Sequence, residues 1–388
     1  MPHIYGLDES GQRFAAVAAK LAQEVASPAS ADVDARARYP EESLNSLRQQ
    51  KLMGLCVPAA SGGLGQGPRV FAAVVEELAQ GCASTAMVYV MHVAAAQAIA
   101  SSATLAAREE ILREIAAGKH LTTLALSESG SRSQFWAPVS RLRPSGAGFA
   151  ASAQKSWVTS ASRADSYVSS AQKPGAASPL ESTIYLARRN TSAMRITSKF
   201  DGLGLRGNDS APVTIENLPV STADLITAQG EGPTAILQVI LPWFAIGTAA
   251  MANGLCRAAV SATAAHLTQT GFEHTGTKLR DLPILRARLA EMSVRMEQSR
   301  ALLGYTLGEV ESPSETTPLY VLQARLAALQ AAVDVTDMAM KACGGAAFSK
   351  HLSIERLFRD ARAGWVMAPT VDHLCDFIGK ALTGLPLF

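Results

Sequence analysis

Residues 149–172, FAASAQKSWVTSASRADSYVSSAQ, decide the fold: FAASAQKSWVTSA and SYVSSAQ alternate apolar with polar side chains, the period-two pattern of strands with one buried face. The same Ser-, Thr-, Val- and Gly-rich character holds from Leu121 to about Thr227 and returns in STIYLARR and APVTIENLPV. PGAASP at 174–179 reads as a hairpin connection, so this region is expected to be an antiparallel β domain. On both sides the period changes. Up to about His120, FAAVAAKLAQEV and VFAAVVEELAQ place apolar residues three and four apart, and the breaker cluster VPAASGGLGQGP must be a loop between helices. After QGEGP at 229–233 helical spacing resumes. Leu282, Leu285, Leu289, Met292 and Met296 follow it behind an expected Asp281 cap and Pro283. A further helix is predicted from Thr317-Pro318 through Leu322, Leu326, Leu329 and Val333 to a Gly344-Gly345 stop. The chain is therefore α+β in the order α, β, α, with domains at 1–120, 121–228 and 229–388. The last reads as a four-helix bundle of the kind that associates further, so a homodimer or homotetramer is expected.

Composition narrows the function. With 388 residues and 48% hydrophobic side chains, the chain can bury a large core. Lys+Arg 35 nearly balance Asp+Glu 33, for a net charge of +2 without a run of one sign, so no nucleic-acid partner is expected. The 5 cysteines are scattered and no Cys/His spacing suits a metal, which points to a reduced cytoplasmic chain without a metal centre. MPHIYGLDESGQRF carries charges where a signal peptide needs an apolar run. Residues 83–107 lack charge but are broken by His92, Gln97, Ser101, Ser102 and Thr104, which reads as a buried helix and not a membrane span.

One concentration of residues suggests chemistry. LALSESGSRS at 124–133 and KSWVTS at 155–160 put Ser/Gly turns beside strand ends, supplying N–H groups and hydroxyls to a phosphate or a polar heteroaromatic ring, or else forming ordinary solvated turns. Trp157 is suited to cover an aromatic ligand beside the Thr159 hydroxyl, or to fill a β core. His92, inside MVYVMHVAAA, is a satisfied core histidine or a donor facing substrate. Gly344-Gly345 is a helix stop that would also let a ligand approach the backbone. Glu355, Arg356, Arg359, Asp360 and Arg362 read as an ion-pair network along one helix. No Walker loop, HExxH or GxSxG occurs.

Taken together, five ordered segments resemble the acyl-CoA dehydrogenase superfamily along nearly the whole chain. VPAASGGLG at 57–65 is similar to its VPxxxGGxG loop, LSESGSRSQ at 126–134 to TEPGxGSD, and KSWVTSASRADSYV at 155–168 to KxWITNxxxADxxx. LGLRGNDS at 203–210 is similar to GxRGSxT, and CGGAAFSKHLSIERLFRDAR at 343–362 to GGxGYxxxxPxERxxRDxR. The resemblance implies an N-terminal helical domain, a middle antiparallel β-barrel, a C-terminal four-helix bundle and bound FAD. Carried over by position, Leu126 and Ser127 would meet the pyrimidine end of the flavin. Trp157 would cover its ring system and Thr159 approach N5, while Gly344, Gly345 and Thr370 would line the dinucleotide near a subunit contact. Ser133, His92 and Phe244 would face an acyl-CoA or similar substrate.

Where the family carries the glutamate that removes the substrate α-proton, in an EGT-like tripeptide, this chain has Ala368-Pro369-Thr370. The alternative glutamate position, on the first bundle helix, falls at Phe244-Ala245, without a carboxylate. FEHTG at 272–276 stands where the family has RxxFG, and Gln134 replaces an aspartate. An α-C–H of a thioester needs a positioned base, typically contributing ~10²–10⁴-fold. Asp372 and His92 are the remaining candidates for that base. The resemblance thus implies an FAD-dependent oxidoreductase on an acyl-CoA or acyl-like substrate, with an electron-transfer partner. The missing base keeps open two alternatives: a reduced-flavin-dependent monooxygenase served by a flavin reductase, and a non-catalytic scaffold of dehydrogenase-like fold.

Overall fold

The computed structural model describes residues 3–189 and 192–387. The N-terminal helices are α1 Glu9–Leu21, α2 Ser27–Ala35, α3 Glu41–Gln49, α4 Pro68–Gly81, α5 Ala83–Ala100 and α6 Arg108–Ala116. α1 starts where the Asp8 carboxylate accepts from Gly11 N at 2.7 Å, and it buries Ala15, Ala18 and Leu21. α5 is long and apolar enough to cross a membrane, but 83% of it is buried inside the fold, which explains a helix without a polar face.

Seven strands follow: β1 Thr122–Ala125, β2 Leu142–Ser145, β3 Gly148–Val158, β4 Ser166–Gln172, β5 Ser182–Arg188, β6 Met194–Ile196 and β7 Ala211–Val220. They form a three-stranded sheet in the order β1-β4-β5 and a four-stranded sheet in the order β2-β3-β7-β6. The bridges Glu128–Lys155 and Arg141–Gln172 join them, and Phe149, Tyr167, Tyr185, Val213 and Ile215 share one apolar core. The expected hairpin at 174–179 connects β4 and β5. The purely antiparallel expectation is corrected at one pairing: β1 runs parallel to β4. The chain between them passes through the other sheet and returns, a connection long enough for a parallel pair.

The C-terminal helices are α7 Gly232–Ala235, α8 Leu241–Gln269, α9 Pro283–Glu311, α10 Thr317–Phe348, α11 Ile354–Val366 and α12 Val371–Thr383. They share one continuous apolar core with the N-terminal helices. Asp281 does not cap α9. It closes a preceding 3₁₀ turn by accepting from Lys278 N at 2.7 Å, and the helix then opens on Pro283 behind Leu282. Inside α10, Gly344 takes φ 54 and ψ −133, so the helix breaks at the expected glycine pair.

Candidate active site

Two of the segments singled out in the sequence are brought together by a buried ion pair. The Lys155 ammonium on β3 donates to Glu128 Oε1 at 2.7 Å and to the Ser170 carbonyl at 2.7 Å, with both charged side chains essentially inaccessible to water. Glu128 Oε2 accepts from Val139 N and Ser140 N at 2.8 and 2.9 Å. Burial opposes ionisation of Glu128, but Lys155 and these donors outweigh it and hold the carboxyl below its usual range. The loop after β1 is thereby tied to the strand that carries Trp157.

Just beyond Lys155, the β3–β7 register shifts before Val158. The extra residue puts Trp157 at φ 56 and leaves its indole 69% exposed. The core alternative for Trp157 is thus excluded. Thr159 is turned inward, its Oγ1 2.9 Å from Ser210 Oγ, and the following Ser160 N donates to the Asn208 carbonyl at 3.0 Å.

These residues form one wall of a cavity of ≈ 600 Å³. Ser127, Ser133, Trp157 and Thr159 come from the β region, Phe200, Asn208 and Ser210 from the segment before β7, and Met87 and Met91 from α5. The C-terminal helices contribute Phe244 of α8, Arg359 and Arg362 of α11, and Ala368 and Thr370 between α11 and α12. A smaller, mostly apolar recess shares Met91, Ser127, Trp157, Phe244 and Ala368 with the cavity and adds Leu124, Leu126, Phe135, Ser156, Ile240 and Leu241. Gly204 shapes the rim: a Cβ there would come within 2.4 Å of the Arg359 carbonyl oxygen, so the loop lies directly on α11.

Leu126, Ser127, Ser133, Trp157, Thr159, Phe244, Ala368 and Thr370 are therefore gathered at one place. His92 is not. It is fully buried, its Nε2 lies 3.1 Å from the Met53 carbonyl and its Nδ1 accepts from Thr122 N at 3.2 Å. Burial pushes its pKa down to about 4, so it is a neutral core histidine. Asp372 is exposed in the first turn of α12, outside the cavity wall. Gly344 and Gly345 are also exposed and outside it, with open space where a Cβ would stand.

The charged run at 355–362 divides in three. Arg359 pairs with Asp34 at 2.6 Å and Glu355 at 2.8 Å, the expected ion-pair network. Asp360 is buried and accepts from Leu205 N at 2.7 Å; burial raises its pKa to about 6. Among the described residues Arg362 donates to neutral oxygens, Thr336 Oγ1 at 2.8 Å and the Phe358 carbonyl at 3.0 Å, and lies over the Phe358 ring, with Asp334 and Asp337 acting on it through space. It lines the cavity, as does Arg132, and neither was singled out as a site residue in the sequence. The available signal was spacing: Arg359, Arg362, Ala363 and Val366 stand at i, i+3, i+4 and i+7, one helical face. Among the described residues no Asp or Glu lines the cavity.

Comparison with known proteins agrees with this architecture. Residues 8–119 match the acyl-CoA dehydrogenase N-terminal domain and residues 230–383 the acyl-CoA dehydrogenase C-terminal domain. The chain is 26% identical over 358 residues to the mitochondrial short-chain specific acyl-CoA dehydrogenase of Bos taurus, covering 92% of this chain and 86% of that one. It is 26% identical over 356 residues to cyclohex-1-ene-1-carbonyl-CoA dehydrogenase of Geobacter metallireducens, covering 92% and 93%. Its fold superposes on the butyryl-CoA dehydrogenase of Megasphaera elsdenii with a TM-score of 0.92 at 21% identity, covering 97% and 99%.

Proposed function

Because the chain belongs to the acyl-CoA dehydrogenase family, we propose that it is an FAD-dependent oxidoreductase acting on an acyl-CoA or acyl-like substrate by chemistry that uses no side-chain carboxylate as base. The observation that carries this reading is that the outward-turned Trp157 and Ala368 line the same cavity, and that no Asp or Glu among the described residues lines it.

The residues suit a flavin. A half-bare indole, apolar walls and the hydroxyls of Ser127, Thr159 and Ser210 offer a flat cover and edge donors in a space of ≈ 600 Å³. Leu126 and Ser127 would hold the pyrimidine end, Trp157 the ring face and Thr159 the N5 edge; Ser133 and Phe244 would meet the substrate. Bound FAD would supply reversible hydride acceptance. Ala368 takes no proton, Asp372 stands outside the wall, and both His92 nitrogens are engaged. The ~10²–10⁴-fold that a positioned base contributes is therefore absent from this chain's own residues.

The same observation favours a second reading, a reduced-flavin-dependent monooxygenase on a non-CoA substrate with a flavin reductase as partner, since that chemistry needs no carboxylate. A homodimer or homotetramer is supported by Ile284 and Val294, which α9 leaves 64% and 56% exposed. The free cysteines, four of them buried, support a cytoplasmic setting.

Ala368→Glu tests the substrate class. Acyl-CoA dehydrogenase activity should appear or rise with short, medium or branched acyl-CoAs if thioesters enter the cavity. No gain with any of them counts against a CoA substrate and directs the search to turnover with oxygen and a flavin reductase.

A further inference from the structure

Arg325 on α10 is the largest fully buried side chain among the described residues. Its Nη2 donates to the Met367 carbonyl at 3.1 Å, and its Cζ lies 4.8 Å from the centre of the Phe244 ring. Among the described residues Nε and Nη1 have no hydrogen-bond partner. Burial lowers its pKa to about 9, with no neighbouring charge acting against that. A guanidinium removed from water without a counter-ion is expensive, and a fold keeps such a group only where something offsets it.

The surroundings of Arg325 say what that is. Phe244, Met367 and Ala368 all line the cavity, so the cation lies one side chain behind the cavity surface, beside the position where the wall carries only a methyl group. The charged residues of the wall itself are also arginines: Arg132, Arg359 and Arg362. Arg359 is neutralised by Asp34 and Glu355, whereas the bonds of Arg362 are to neutral oxygens. A negative charge placed against Ala368 would face Arg325 through the apolar Phe244 ring and not through water, where screening is weak.

We infer that Arg325 and the Ala368–Phe244 wall form an anion subsite, and that the substrate brings its own carboxylate to this end of the cavity. The subsite rests on the proposed placement of substrate against Ala368, but not on turnover. An amide of the same shape lacks the charge and gains nothing from Arg325, so discrimination of about tenfold or more is expected between the two.

The test uses matched probes, hexanoate against hexanamide and benzoate against benzamide, with binding followed by tryptophan fluorescence and thermal shift. Wild-type protein should bind each carboxylate about tenfold more tightly than its amide. Arg325→Met should abolish the preference while leaving amide affinity unchanged, and should melt no lower than wild type because it deletes an uncompensated charge. Arg325→Lys, which keeps the charge, should retain part of the preference. Equal affinities in wild type, or a preference unchanged in Arg325→Met, overturn the inference. So does a parallel loss of amide and carboxylate binding with a lower melting temperature, which would mark Arg325 as a structural support of Met367.

If Arg325→Met does not fold, Ala368→Glu and Ala368→Gln replace it. The tethered carboxylate of the first should abolish the carboxylate preference and the amide of the second should keep it; the same behaviour in both overturns the subsite. Flavin content, read by absorbance on the same samples, separates the two proposals. Flavin uptake without a carboxylate preference sinks the subsite alone, and a preference without flavin uptake sinks the FAD reading alone.

Discussion

Replacing Lys155 by Met removes the cation that holds the two site segments together. The Lys155–Glu128 pair is enclosed on all sides, with a direct contact of 2.7 Å and a second bond of 2.7 Å from Lys155 to the Ser170 carbonyl. In Lys155→Met, Glu128 keeps its donors from Val139 and Ser140 but loses the charge that offsets its burial. Breaking one partner of such a pair costs about 3–5 kcal/mol, because the remaining ion stays buried and unpaired. Changing both partners together, Glu128→Gln with Lys155→Met, leaves no buried ion and should recover part of the loss. Urea unfolding at pH 7 of wild type, Lys155→Met, Glu128→Gln and the double variant measures the coupling. The pair also has a sign with pH. Glu128 is held below its ordinary range, so its contribution is present above the unfolded carboxyl range and is lost as pH falls through the folded value; wild type and Lys155→Met should converge on acidification. A loss below about 1 kcal/mol in Lys155→Met, or a double variant as unstable as the sum of the singles, would refute the clamp.

Four further outcomes follow from the same geometry. Asp360, with its pKa raised by burial to about 6 from 3.8, binds more protons folded than unfolded in that window, so its contribution falls as pH rises; Asp360→Asn should gain about 3 kcal/mol relative to wild type between the two values, and a pH-independent difference in chemical denaturation would contradict it. His92, lowered by burial to about 4 from 6.5, acts with the opposite sign: its contribution is lost as pH falls through that window, so the two largely cancel in the wild-type profile and Asp360→Asn should expose a steeper acid loss. Gly204→Ala sets a methyl group 2.4 Å from the Arg359 carbonyl oxygen and should cost about 1–3 kcal/mol and weaken flavin uptake, whereas wild-type melting and flavin content would show that the loop yields freely. Trp157→Ala removes a side chain that is already 69% exposed, so melting should be nearly unchanged while flavin retention on gel filtration falls; unchanged flavin content removes Trp157 from the site.

The α, β, α order was legible because long helices and half-buried strands impose different periods, and those periods survive any tertiary detail. Ser127, Trp157 and Thr159 were grouped by the resemblance of their two segments, since the residues alone left solvated turns and a core indole open, and His92 was kept as a base candidate although its apolar flanks also fitted the core residue it proves to be. The parallel β1–β4 pairing was not, since it joins segments more than forty positions apart in the sense of Thr122 against Ser166, and local alternation carries no partner identity. Asp281 looked like a helix cap because the 3₁₀ turn that uses it differs from an α-helix start by one residue. Arg362 and Arg325 were missed for a shared reason. A charged residue on a helix signals solvent unless the helix on its far side is known, and burial of Arg325 depends on where Phe244 and Met367 fall after folding.

The central claim is that Trp157 and Ala368 line one cavity, proposed to hold a flavin and to offer it no carboxylate partner. Its most direct test is the visible absorption spectrum of the purified protein, titrated with FAD and with FMN under oxidised and reduced conditions. Saturable uptake of one FAD per chain, lost in Trp157→Ala, is the predicted result, and uptake confined to the reduced form would favour the monooxygenase reading. No flavin bound in either redox state would contradict the account and leave the dehydrogenase-like fold serving as a scaffold.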